Sequence, residues 1–361
     1  MAAPEPEIHR DPGTLAAHED GWRQLAVGGS YFTTPDWMLA WWRSYPDAGR
    51  GEVAVWRGPD GRVEAVAPLM RTRHRLRPNL PLSVPCLTLL GSGTGAADHL
   101  GFPALRHRRD DVRRWLARRA GGISLWLPSV DESAAPMLPP GLRPLARTAA
   151  PRLDLTADPA RLGSADHRQN LRRYGRKLDR AGVSFRWVAP KEMTPGVLDD
   201  VLRLHRLRAD SIGRATTFTT ERRAFHLRLI EAASRGAGAG ERGPCALLAE
   251  HDGAAVGAVY GFWWGACFAY YQTGWEPRLA PLRLGLQLVA RCVGEAREHG
   301  AAVFDFLRGG EPYKYRFGAV DRYDTDSLLP HGPAGALLRA KFHAKQRTAL
   351  PDGQHMGGRG V

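Results

Sequence analysis

Cysteine is scarce in this 361-residue sequence: Cys86, Cys245, Cys267 and Cys292 are the four present, far apart and mostly inside apolar runs. That spacing matches neither a disulfide framework nor paired metal ligands, and a reducing compartment is the simplest setting. The thirteen histidines show no ligand spacing with those cysteines, so no metal is expected. Missing too is any run of roughly 20 apolar residues, the length a membrane span requires. The amino terminus, MAAPEPEIHRDPG, puts acids and prolines where a secretory leader needs a basic end and an apolar run. The expectation is a soluble, cytoplasmic protein. Acidic residues are in deficit, 37 against 51 Lys plus Arg, for a formal net charge of +14. A surplus of that size attracts nucleic acid, acidic lipid or phosphorylated ligands without choosing among them. Arg, Ala, Gly and Pro crowd every region, so compositional bias accounts for part of it.

Bulky apolar residues are plentiful. Hydrophobic residues make up 43% of the chain, with 11 Trp, 11 Phe and 9 Tyr, which excludes wholesale disorder. The length suits two domains of roughly 100 to 200 residues each. Residues 1 to 30 read as a flexible N-terminal segment. From 31 to 150 the pattern is mixed α/β. A helix opens at Pro35-Asp36-Trp37, capped by Thr34 or Asp36, and a hairpin turns at Gly58-Pro59-Asp60-Gly61. An apolar strand then runs into Gly91-Ser92-Gly93-Thr94-Gly95, which lacks the lysine of a nucleotide-binding loop. A proline-rich passage from Pro128 to Pro151 reads as the connection to a second domain, 151 to 330, where an amphipathic helix again precedes a meander of strands. Residues 331 to 361 read as a basic helix, with Leu337, Leu338 and Phe342 inward, and a tail disordered beyond Pro351. The fold class expected is α/β with mixed α+β sheets, in two related domains without a residue-level repeat.

The run FDFLRGGEPYKYRFG, 304 to 318, concentrates chemistry. Asp305 stands in an apolar strand, where an ionised carboxylate is costly unless paired or at a site. Pairing with Arg308 or Lys314 to lock the strand end is the plain alternative. After Gly309-Gly310 come Glu311, Tyr313, Lys314 and Arg316 within six residues.

This strand and turn resemble the carboxy-terminal signature of the CelD-like GNAT acetyltransferases. The matching residues are Asp305, Phe306, Arg308, Gly309, Glu311, Pro312, Tyr313, Lys314, Arg316, Phe317 and Gly318. TTPDWMLAWW (33 to 42), RQNLRRYGRKLDRAG (168 to 182) and FAYYQTGWEP (268 to 277) resemble the same family, and with LLGSGTGAADHL (89 to 100) they span roughly residues 31 to 320 in order. The resemblance implies two tandem GNAT-like acyltransferase domains. It also relates the chain to the FemAB peptidyltransferases, which take aminoacyl groups from tRNA instead of acyl groups from coenzyme A.

Acyl transfer to an amine needs a proton acceptor, donors for the developing oxyanion and close placement of both reactants. Asp305 or Glu311 would serve as base. Lys314, near the aromatic-glycine step as in FemAB-like enzymes, would donate to the oxyanion or to donor phosphate. Tyr271, Gln272 and Tyr313 would orient substrate. Donor phosphate would lie at the start of the helix after the strand of Tyr271, where free N–H groups favour an anion. Only Arg283 and Gly285 of RLAPLRLGLQL fit the Arg- and Gly-rich loop of typical GNAT proteins, which weakens the case for ordinary coenzyme A binding. Arg172 and Arg173, on the densest basic helix, and Arg316 are further phosphate contacts, because guanidinium groups grip phosphate oxygens bidentately. Trp37 and Asp98 are candidates for the acceptor cleft, though an Asp98-His99 neighbour pair is more often structural. The expected function is N-acyl transfer from acyl-CoA, acetyl-CoA first, to an amine on a small molecule or on a sugar or cell-envelope precursor. An aminoacyl-tRNA donor and a binding protein that has lost turnover are the alternatives.

Overall fold

The computed structural model describes residues 5–76, 82–93, 97–158, 163–214, 216, 218–236, 238 and 240–348, with side chains to 342. Thr94 and Gly95 of the glycine-rich loop and the tail beyond Pro351 lie outside the described residues. In chain order the first half gives β1 (Glu7–His9), α1 (Glu19–Ala26), α2 (Pro35–Ser44), β2 (Arg50–Arg57), β3 (Val63–Arg75), β4 (Ser83–Leu89), α3 (Arg109–Ala120), β5 (Ser124–Asp131) and β6 (Arg143–Asp154). Next come α4 (Ala165–Arg180), β7 (Ser184–Val188), α5 (Pro195–Ser211), α6 (Thr220–Ala233), β8 (Gly243–His251), β9 (Ala254–Trp264) and β10 (Cys267–Trp275). The last are α7 (Leu284–Glu298), β11 (Val303–Asp305), α8 (Pro312–Arg316), β12 (Val320–Leu329) and α9 (Gly332–Thr348).

The helices start where the sequence offers a capping oxygen. Thr34 Oγ1 accepts the Trp37 N–H at 3.3 Å, Ser164 Oγ that of His167 at 3.1 Å, Thr194 Oγ1 that of Val197 at 3.3 Å and Thr219 Oγ1 that of Arg222 at 3.3 Å. Each takes an N–H that the helix itself leaves without a partner. The hairpin forms as its turn residues dictate, β2 pairing with β3 around Gly58–Gly61.

The described chain divides into two compact units. Unit 1 takes the residues to Thr148 together with those from Tyr323 onward, and unit 2 takes Ala149–Arg322. Unit 1 has strand order β1-β2-β3-β4-β5-β12, and unit 2 has β7-β8-β9-β10-β11-β6. In both, every described pairing is antiparallel except one: β4 with β5, bridged by α3, and β10 with β11, bridged by α7. A parallel pair needs such a crossover. The two units thus repeat one topology. Each closes with a strand from the other half of the sequence, β12 on β5 in unit 1 and β6 on β11 in unit 2. The mixed α/β class is as expected, but a single cut near 150 or 330 does not separate the units.

Two other expectations are corrected. Residues 5 to 30 are tied down: β1 pairs with β2, and Trp22 is fully buried with its Nε1 donating to the Thr33 carbonyl at 2.9 Å. Their polar average hid an inward stripe of Leu15, Trp22 and Ala26. The proline-rich passage, inside which the units divide at Thr148/Ala149, also supplies most of β6, where Ala150 is buried. On α9, Leu338 is buried and Phe342 stacks near Trp126 at 5.4 Å, but Leu337 is 57% exposed. Adjacent residues on a helix are about 100° apart, so both leucines cannot face inward.

Candidate active site

Unit 2 gathers most of the expected site residues around the end of β10. The parallel pairing of β10 with β11 is short, ending at Ala269↔Asp305. β10 continues to Trp275 along β9, with a bulge between Tyr270 and Gln272. Past Ala269, then, one edge of β10 parts from the β11 ladder. A bulge sharpens the local twist, and an edge of this kind accepts an extended chain by strand addition.

Asp305, 1% exposed, closes β11. Arg152 Nε donates to its Oδ2 at 2.5 Å and the Leu307 N–H donates to its Oδ1 at 2.8 Å. Arg152 from β6 is thus an ion-pair partner that the sequence did not suggest. The chain then turns with Leu307 at φ 57°, a left-handed conformation that costs a non-glycine residue about 1 kcal/mol or more. Lys314 holds that turn. Its Nζ donates to the carbonyls of Leu307, Arg308 and Gly309 at 3.2, 3.0 and 2.8 Å and lies 2.8 Å from Glu311 Oε2. An ammonium has three protons, and here three carbonyls and a carboxylate claim them at a residue 2% exposed. Lys314 is thus a staple of the turn, and the expected role as oxyanion donor is corrected. Glu311 folds back over Gly309, whose hypothetical Cβ would meet its carboxylate at 2.5 Å with φ at 110°.

Tyr313, next to Lys314, is half-buried and hydrogen-bonds the hydroxyl of Tyr270 on β10. Burial pushes the Tyr313 phenol up to about 12, and burial, followed by charge repulsion from Tyr313, pushes Tyr270 well above its ordinary value. Both stay neutral proton donors at any physiological pH. Tyr271 and Gln272 are half-buried, and the Tyr271 ring packs on Phe262, His226 and Tyr260 at 5.1, 5.6 and 6.3 Å.

At the start of α7 the expected phosphate contacts partly converge. Gln287 Nε2 donates to the Leu171 carbonyl at 2.9 Å and docks α4 against α7. This brings Arg283 to the Tyr174 hydroxyl, to which Arg173 Nη2 also donates at 3.0 Å. Lys177 Nζ is 5.7 Å from the same ring. Arg173 first, then Arg283, lowers the Tyr174 pKa. Arg172 is exposed on α4. Arg316 stands beside His167, seven residues and so roughly 10 Å along α4 from Tyr174, outside this cluster. Gly285 has a packing reason: its Cβ would lie 2.6 Å from the Trp275 ring.

Trp37 and Asp98, expected in the acceptor cleft, are 0% and 2% exposed inside unit 1, which removes them from a dissolved substrate. Trp37 packs edge-on to Phe32 at 4.7 Å. Next to Asp98, His99 is held by Asp324, which accepts its backbone N–H at 2.7 Å and faces its Nδ1 at 2.8 Å, with Asp131 3.7 Å away. Sequence reasoning passed over Arg208, His226 and Trp275. Arg208 is one of 51 basic residues, and nothing in LHRLRAD marks it. Trp275 lay within a quoted segment as a mere aromatic.

Residues 165–315 match a family model described as an acetyltransferase (GNAT) domain. Among solved structures, FemX matches with a TM-score of 0.61 at 11% identity, over 89% of this chain and 96% of that one. L-PGS from Bacillus licheniformis matches at 0.54 and 12%, over 94% and 98%. A conserved protein of unknown function from Bacteroides thetaiotaomicron matches at 0.53 and 12%, over 90% and 99%. These likenesses concern the fold. Among curated proteins nothing matches the chain. No helix among the described residues is long and apolar enough to cross a membrane. The matched acetyltransferase (GNAT) domain lies inside unit 2, around the parted edge of β10.

Proposed function

We propose that the protein is an N-acyltransferase that moves an acyl group, acetyl first, from acyl-CoA to an amine. The observation that carries this is the edge of β10 parting from β11 beside the cations at the α7 start. In this reading the pantetheine arm lies extended along the β10 edge, and Arg173, Lys177 and Arg283 take the phosphates, helped by the α7 dipole. The donor supplies an activated thioester carbonyl. The amine nitrogen bonds to that carbonyl carbon, the carbon–sulfur bond breaks, and the proton the amine gives up ends on the departing sulfur, relayed through the phenols. Tyr270 and Tyr313, kept neutral, can pass a proton to the departing thiolate. Burial pushes the thiols of Cys86 and Cys267 up to about 11 and about 12 and those of Cys245 and Cys292 well above their ordinary value, which favours direct transfer over a cysteine-bound intermediate. The acceptor is placed in the class of small-molecule or cell-envelope amines, and the cytoplasm is the proposed location.

The test is coenzyme A release across a panel of acyl donors and amines, paired with calorimetric binding of coenzyme A. Binding in the micromolar range that weakens at least tenfold in Arg173→Ala/Arg283→Ala supports the donor assignment. No binding of coenzyme A by the folded wild type sinks it. A second reading, aminoacyl transfer from charged tRNA, is favoured by the FemX-like fold and the net charge of +14. Tight tRNA binding whose affinity falls steeply with added salt is its signature.

A further inference from the structure

Among the described residues, Arg208, near the end of α5, has no counter-charge. Its guanidinium carbon stacks 4.3 Å from the centre of the Trp275 ring. Its Nε is buried and bonds to nothing, and among the described residues no carboxylate pairs with it. Three arginines of unit 2 do have a carboxylate: Arg152 has Asp305, Arg223 has Asp199 and Arg186 has Glu250. Desolvation lowers the Arg208 pKa, the phenols of Tyr270 and Tyr313 oppose that, and Arg214 adds repulsion. A half-buried guanidinium with only neutral neighbours and a second cation nearby is costly, so packing alone gives no reason for it. Stacked on an indole, its planar fork is already oriented to grip an oxyanion through two N–H groups.

Its position adds to the case. The far rim of the same indole rests on Gly285 at the start of α7, and Tyr270 belongs to the parted edge of β10. Gly274 lets α5 come this close, since a Cβ there would lie 2.3 Å from the His205 nitrogen. We propose that Arg208 is an anion receptor of the active site, gripping a carboxylate or phosphate of a substrate that lies along the β10 edge. This rests on the reading of that edge as the substrate channel. The anion has two possible sources, the donor's phosphates or a carboxylate on the acyl group or acceptor.

Calorimetric titration of the full chain with coenzyme A, inorganic pyrophosphate, succinate and acetate separates them, using wild type, Arg208→Gln and Arg208→Lys. At least one dianion should bind wild type and bind Arg208→Gln tenfold or more weakly, with Arg208→Lys intermediate and unfolding midpoints unchanged. A loss confined to coenzyme A and pyrophosphate assigns phosphate, and a loss for succinate but not acetate assigns carboxylate. Equal binding of every probe by wild type and both variants, or no binding of any probe by wild type, overturns the proposal. Coenzyme A binding that ignores Arg208, with no other probe bound, overturns it while leaving the acyl-CoA reading intact. Pyrophosphate or succinate held through Arg208 without coenzyme A binding supports it and removes the acyl-CoA reading instead.

Discussion

Lys314 and Glu311 form one ion pair with unequal consequences. Replacing Lys314 by Met leaves three turn carbonyls without their buried donor, and unfolding in urea should show a loss of about 2 to 4 kcal/mol. Glu311, 56% exposed, meets water on its other side, and Glu311→Gln should cost less than about 1 kcal/mol. Equal losses would mean that Lys314 serves the pair and not the turn. His226 supplies a pH test. It is fully buried, its Nδ1 lies 3.0 Å from the Tyr260 hydroxyl, and burial, with Arg222 second, pushes its pKa down to about 3 from 6.5. Below pH 6.5 the unfolded chain takes up the proton that the folded one refuses, so stability falls as pH drops toward 3, by up to about 1.4 kcal/mol per unit from this residue. Urea midpoints between pH 7 and pH 4.5 should carry that slope, and His226→Gln should remove about one proton's share. At this scale the sequence was only half legible. Asp305 was recognisable as an anomaly because charge in an apolar strand must be compensated, but its partner lay 153 residues away and no local pattern could name Arg152. Lys314 was visible as a motif residue, while its engagement by carbonyls depends on the path of the turn.

At the scale of elements, close approach is set by glycine. Gly274 faces the backbone of Leu204 and His205 at 2.3 to 2.5 Å, so Gly274→Ala must push α5 from β10 and should destabilise unit 2 by about 2 kcal/mol or more. Because Arg208 rides on α5, the same substitution should also weaken anion binding, measured by the titrations above at a temperature where the variant is fully folded. Retained binding at wild-type strength would show that the stack does not depend on this contact. Helices were legible where a cap precedes them, as Thr34 does for α2. The hairpin at Gly58–Gly61 was equally plain. β11 spans three residues only, and the bulge at Tyr271 leaves no mark in a run of apolar and aromatic residues.

At the scale of the molecule, two α/β domains could be inferred from the order of helix and strand signals, but the exchanged closing strands could not. β6 and β12 carry no marker of which sheet they complete, because pairing is chosen by register and not by position in the sequence. Unit 1 needs β12, whose Asp324 holds His99, and a chain ending at Arg322 should therefore lose amide protection in β4 and β5 while β8, β9 and β10 keep theirs. Hydrogen exchange read by mass spectrometry decides it; protection persisting in β5 would show that the borrowed strand is dispensable.

On the ribosome this arrangement inverts the usual schedule. The first 148 residues emerge early yet wait for a strand made some 175 residues later, whereas the second unit has all its strands as soon as residue 305 clears the exit tunnel. The segment translated first is thus the last to receive its full set of strands, and until then the side of β5 that β12 covers has no partner strand.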